Sequence, residues 1–124
     1  ISARLRDLNY DMLADYLCYL DSMINCTADW LIIPGHDWPY FGGGVRAAQL
    51  MAHHATRLDR LFAMISNRPV STNDAMLALF PFEMTDHEVF FASCEARAHL
   101  NHLVTMGYLQ HTDGKNGVDL FAKC

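Results

Sequence analysis

The sequence predicts a mostly helical α+β chain in two unequal parts, residues 1–44 and 45–124. Three observations predict it. Along several stretches apolar residues return every three or four positions, the period of a one-faced helix. Clusters of proline and glycine separate those stretches. Near the end, two short apolar runs flank six turn-favouring residues, as in a β-hairpin.

In order, residues 1–10 carry little pattern. From Asp11 to about Asn25, Leu13, Tyr16, Leu17, Leu20, Met23 and Ile24 follow the helical spacing, and Asn9 or Asp11 could cap the start. Trp30-Leu31-Ile32-Ile33 is a continuous apolar run stopped by Pro34-Gly35, which predicts a strand covered on both faces. Such a strand needs hydrogen-bonding neighbours that residues 1–44 do not supply, so its sheet is expected upstream. Gly42-Gly43-Gly44 reads as a flexible hinge. A long helix is expected from Val45 to about Ser66, with Leu50, His54, Leu58, Leu61 and Ile65 on one stripe, and Asn67-Arg68-Pro69 ends it. Ser71 or Thr72 opens a short helix closed by Pro81. Thr85 and Glu88 have capping-box spacing before a helix that runs to Met106 and stops at Gly107. Tyr108–His111 and Val118–Ala122 then flank the turn. Helix, short helix, long helix and hairpin over 45–124 is the order of a winged helix.

Apolar residues make up 52% of the chain and charged residues 19%, enough to bury a core. No apolar run approaches the ~20 residues of a membrane span. The first residue is Ile1 and no charged-then-apolar leader follows, so the chain is expected to be an internal cut from a longer protein. Of the net charge of −5, residues 1–44 carry −4 and residues 45–124 carry −1. Neither part has the basic excess of a nucleic-acid binder. Cys18, Cys26, Cys94 and Cys124 lack zinc-knuckle spacing and read as reduced thiols of a cytoplasmic protein.

The residue most suggestive of chemistry is His36, on a Pro-Gly turn directly after the expected strand, where open α/β sheets gather ligands. A loop histidine with a local capping role is the plainer alternative. One imidazole is not a metal site by itself, because zinc takes three or four protein ligands. Asp37, Trp38, Tyr40 and Phe41 follow and could line a pocket mouth or pack between domains. His53 and His54 point about 100° apart on a helix and cannot easily share one metal. His54 falls on the apolar stripe, as a core histidine would. His53 with Arg57, one turn on, could face substrate or a neighbouring domain. His99 and His102 form a weak pair, and Glu95 and Arg97 read as surface or interdomain charges.

Several segments in unbroken order resemble one family. They are Leu13-Ala14-Asp15-Tyr16-Leu17 with Leu20-Asp21, Ile33-Pro34-Gly35-His36 and Pro39-Tyr40-Phe41-Gly42. Further on come His53-His54 with Arg57-Leu58, Leu79-Phe80-Pro81, Glu95 with Ala98-His99-Leu100, Leu103, and Gly107-Tyr108-Leu109. Together they resemble the C-terminal region of metallo-β-lactamase-fold hydrolases that carry an appended winged helix. The resemblance implies that residues 1–44 are the last strand and helix portion of the αββα catalytic fold, and that 45–124 form the winged-helix accessory domain. It makes His36 the last ligand of a dinuclear centre, usually of zinc or another divalent metal. The remaining ligands would come from an H-x-H-x-D-H motif, a further histidine and a bridging aspartate, none of which this chain contains. The family usually has glycine where Asp37 stands. On this reading the partners are the upstream catalytic domain and a small ester, thioester or lactam-like substrate. The chain alone would be inactive and hold no metal tightly.

The rival is a stand-alone winged-helix module that reads DNA with the helix from Asp86 to Met106, or that serves in homodimerisation. That helix would offer Glu88, Glu95, Asn101 and Thr105 outward, with Arg97 its only strong cation, which is little positive charge for a recognition helix.

Overall fold

The computed structural model describes residues 7–26, 28–65 and 68–124. Their elements run α1 (Met12–Ile24), α2 (Gly43–Met64), β1 (Val70–Ser71), α3 (Thr72–Leu79), α4 (Asp86–Thr105), β2 (Leu109–Asp113) and β3 (Asp119–Lys123). The chain is thus mostly helical, with one small antiparallel sheet ordered β1-β3-β2.

Local chemistry sets most boundaries. Asp11 caps α1, its Oδ1 accepting the Ala14 backbone N–H at 2.9 Å. Ser71 and Asp74 form a reciprocal capping box at the start of α3, and Thr85 and Glu88 form another at the start of α4. The Ser71 backbone N–H donates to Asp74 Oδ2 at 2.8 Å, which holds that carboxyl below its ordinary pKa. Ser71→Ala should cost about 1 kcal/mol of stability in a denaturant melt; an unchanged midpoint would mean the cap contributes nothing. Gly107 ends α4 with φ of 77°, where its N–H and that of Tyr108 reach back to Val104 and Leu103 at 3.0 Å each. The expected end of α2 near Ser66 and Asn67 lies outside the described residues.

The core joins the helices to the sheet. Leu61 and Ile65 of α2 and its C-terminal flank meet Leu100 of α4, Val70 of β1, Leu109 of β2 and Phe121 of β3. Phe121 stands opposite Val70 on one side and His111 on the other. The hairpin is longer than expected. Its strands pair from Leu109 with Lys123 to Asp113 with Asp119, and a single 3-10 turn over Lys115–Gly117 closes it. The turn is tight at Gly114, where a Cβ would lie 2.5 Å from the Val118 carbonyl oxygen.

The expected strand at Trp30–Ile33 makes one isolated antiparallel bridge among the described residues, Ile32 to Tyr40, and Trp30, Leu31 and Ile33 are exposed in this chain. Two expectations are corrected. The glycines are no loose hinge. Gly43 and Gly44 form the first turn of α2, so close to α1 that a Cβ on Gly43 would meet Met23 and Ile32 side chains at 3.0 Å. Arg97 and Asn101 do not face outward. Both are buried, because Arg97 binds Asn101, Asp119 and Asn9, and Asn101 donates to the Leu8 and Tyr10 carbonyls. The segment 7–11, patternless in sequence, is pinned to α4 by these bonds and by Asp11 against His102 Nδ1 at 3.0 Å.

Candidate functional site

Two groups of chemistry-bearing residues emerge, spaced along α2. The first surrounds His36. The Ile32–Tyr40 bridge, with N···O distances of 2.8 and 3.0 Å, closes a loop that carries His36 and Asp37 in the open. Asp37 has φ of 70°, a left-handed conformation that a side chain other than glycine adopts at a cost. Glycine would sit there without strain; this chain has a carboxylate. Beside the loop a shallow recess is lined by Asp37, Tyr40, Phe41, Val45, Arg46 and Gln49. Trp38 is 87% exposed and Ile33 77%, so the loop displays apolar surface as well as His36.

The second group lies farther along α2. His54 projects from α2 between Tyr16 of α1 and His99 of α4, with ring centroids 5.6 and 5.1 Å away. Its Nδ1 lies 3.0 Å from His99 Nε2. The other nitrogen of His99, Nδ1, lies 2.8 Å from the Glu95 carbonyl oxygen. A carbonyl only accepts, so His99 carries its proton on Nδ1 and presents a lone pair at Nε2; His54 Nδ1–H therefore donates to it. Burial pushes His54 down to about 4 and His99 down to about 3, so both rings are neutral near neutral pH.

Around that pair, Arg57 binds Glu95 and stacks over Phe80 at 4.9 Å. His53 is exposed, edge-on to His54 at 5.6 Å, and burial together with Arg57 and Arg46 lowers its pKa. Of the residues singled out from the sequence, Asp37 and Tyr40 thus share the recess near His36. His53 and Arg57 belong to the second group, with Arg46 of the recess near enough to His53 to lower its pKa. His99 and His102 do not act together: one meets His54 and the other Asp11. The sequence reading missed the pairing of Glu95 with Arg57, which lie 38 positions apart on different helices and leave no local signal.

A family model described as metallo-beta-lactamase-like, C-terminal domain, matches residues 58–124. The chain belongs to this family. Among solved structures, this metallo-β-lactamase-like domain is similar to a β-lactamase domain protein from Burkholderia ambifaria, with a TM-score of 0.92 and 33% identity. That likeness covers 100% of this chain and 37% of the other. A metallo-β-lactamase family protein from Thermus thermophilus matches with a TM-score of 0.73 and 29% identity, over 92% of this chain and 34% of its own. The chain therefore spans little more than a third of these relatives. No curated protein matches it. Among the described residues no helix is long and apolar enough to cross a membrane.

Proposed function

We propose that this chain is the C-terminal part of a metal-dependent hydrolase, with residues 1–44 completing the catalytic domain and residues 45–124 forming a winged-helix accessory domain. The observation that carries the proposal is the loop around His36. An exposed imidazole on a Pro-Gly turn is flanked by exposed Leu31, Ile33 and Trp38, and Ile32 bonds to Tyr40 alone among the described residues. Such a surface is what remains when a sheet and its metal pocket are supplied by another part of the protein. The sheet order β1-β3-β2 behind α2, α3 and α4 supports the winged-helix reading.

The residues present fit one ligand position of a dinuclear divalent-metal centre, usually zinc. His36 offers one imidazole and Asp37 one nearby carboxylate, and the other donors would come from the preceding domain. Such cations polarise a carbonyl or phosphoryl oxygen and activate water. This chain's own contribution is to position. Pro34 and Gly35 fix the backbone under His36, and the recess with Tyr40, Phe41 and Arg46 borders the place where a small ester, thioester or lactam-like substrate would enter. Arg57 is already held by Glu95, which favours a structural role over substrate contact. DNA reading by α4 loses support, since its one strong cation, Arg97, is buried.

The test uses the protein as its native cell makes it. Its intact mass should lie well above the 14.1 kDa of this chain. His36→Ala should then lower both bound metal and hydrolysis of a thioester and lactam panel by about 100-fold or more. A mass equal to this chain's, or a His36→Ala variant with full metal content, would overturn the reading.

A further inference from the structure

We propose that His54, Glu95 and His99 form a second, buried site for one divalent transition-metal cation of the zinc type, which ties α2 to α4. One ligand atom from each lies within 4.8 Å of the others. Glu95 and His99 are four apart on α4 and so share a face, and His54 meets them from the facing helix. Two histidines and a glutamate, completed by a water, are a zinc ligand set.

The histidine pair is close to what the ion needs. Two nitrogens each about 2.0–2.1 Å from a tetrahedral zinc stand roughly 3.3–3.4 Å apart. The 3.0 Å between His54 Nδ1 and His99 Nε2 has to open by only a few tenths of an ångström. His99 is oriented as a ligand should be, its Nδ1–H held by the Glu95 carbonyl and its Nε2 lone pair turned inward. His54 becomes a ligand by changing tautomer: its proton leaves Nδ1 for Nε2, and no net charge is lost. Burial keeps both rings unprotonated, so protons do not compete for the lone pairs near neutral pH. Glu95 is bound to Arg57 through Oε1, and a carboxylate has a second oxygen to give. Side-chain exposures of 22% for Glu95 and 20% for Arg57 leave a route for the ion on that side.

This site does not depend on the proposed hydrolase. Its residues are distinct from His36, and they lie wholly within this chain. A second group on the hairpin, His111, Asp113 and Asp119, is a weaker candidate because none of its residues is buried and Asp113 is exposed.

The 124-residue chain carries its own buried core, so it can be tested directly after chelator treatment and dialysis. Titration with Co2+ should give one equivalent bound with the visible bands of tetrahedral cobalt, displaced by Zn2+. Zinc affinity is then measured by competition with a chromogenic chelator. His54→Gln and Glu95→Gln should each weaken it by about tenfold or more, while His87→Ala and Asp113→Asn leave it unchanged. His99 is wholly buried and its replacement risks the fold, so His54→Gln, checked by circular dichroism, is the deciding variant. Three results would each overturn the proposal: no saturable uptake of either metal, uptake indifferent to His54→Gln, or uptake lost in His87→Ala or Asp113→Asn.

Discussion

Phe121→Ala is expected to remove about 3–5 kcal/mol of folding stability, the usual loss for a large aromatic cut out of a packed core. The ring is 1% exposed at the centre of the sheet, between Val70 and His111, with the Arg97 guanidinium 5.0 Å above it. Small domains have only about 5–15 kcal/mol to lose, so the variant should be unfolded or close to it at 37 °C. Urea unfolding followed by circular dichroism would give the midpoint and slope. A loss below about 1.5 kcal/mol would mean that the surrounding helices collapse into the void, and that the sheet is not rigidly held.

Arg97→Ala is expected to cost about 1–3 kcal/mol, by a different route: it strips hydrogen bonds from several partners at once, while the part-exposed carboxylate it leaves behind is partly rehydrated. Here the guanidinium binds Asp119, the Asn101 side chain at 2.9 Å and the Asn9 side chain at 2.8 Å, so three polar groups lose their partner at once. Asp119 keeps one neighbour, His111, whose Nε2 lies 3.0 Å from its Oδ1. The pair also makes a pH dependence. The Arg97 hydrogen bond holds the Asp119 carboxyl below its ordinary value. The folded-state pKa is depressed, so this contribution is fully present above the unfolded value of about 3.9 and is lost as pH falls through the folded one. Asp119→Asn should therefore flatten the acid end of the stability profile, and an unaltered acid limb would show that the pair contributes little. Phe121 and Arg97 touch, so their losses should not add in the double variant.

The helices were legible because their causes are local. Asp11, the box of Thr85 and Glu88, and the glycine stop at Gly107 are read within four residues of where they act. His54 was legible as a core histidine from its place on the apolar stripe. What lay beyond the sequence was pairing at a distance. Val70-Ser71 is too short to show a period, and it is a strand only because Phe121 and Leu120 lie beside it. The partner that defines His54 is 45 positions away. Arg97 looked like a surface charge because Asn9 and Asp119, which bury it, come from opposite ends of the chain. His36 is different again. Its neighbourhood shows an exposed imidazole beside the exposed Asp37, and the ligand role proposed for it rests on the resemblance of the segments around it.

The sheet order has a consequence for synthesis on the ribosome. Both β1 and β2 pair only with β3 among the described residues, so each must wait until positions 119–123 have left the exit tunnel. Until then the finished helices can cluster, but Val70 and Leu109 remain uncovered and Arg97 has no carboxylate to meet. A pause or a premature stop just ahead of Asp119 would leave a sticky, helix-rich intermediate, the kind of species that chaperones hold and proteases clear.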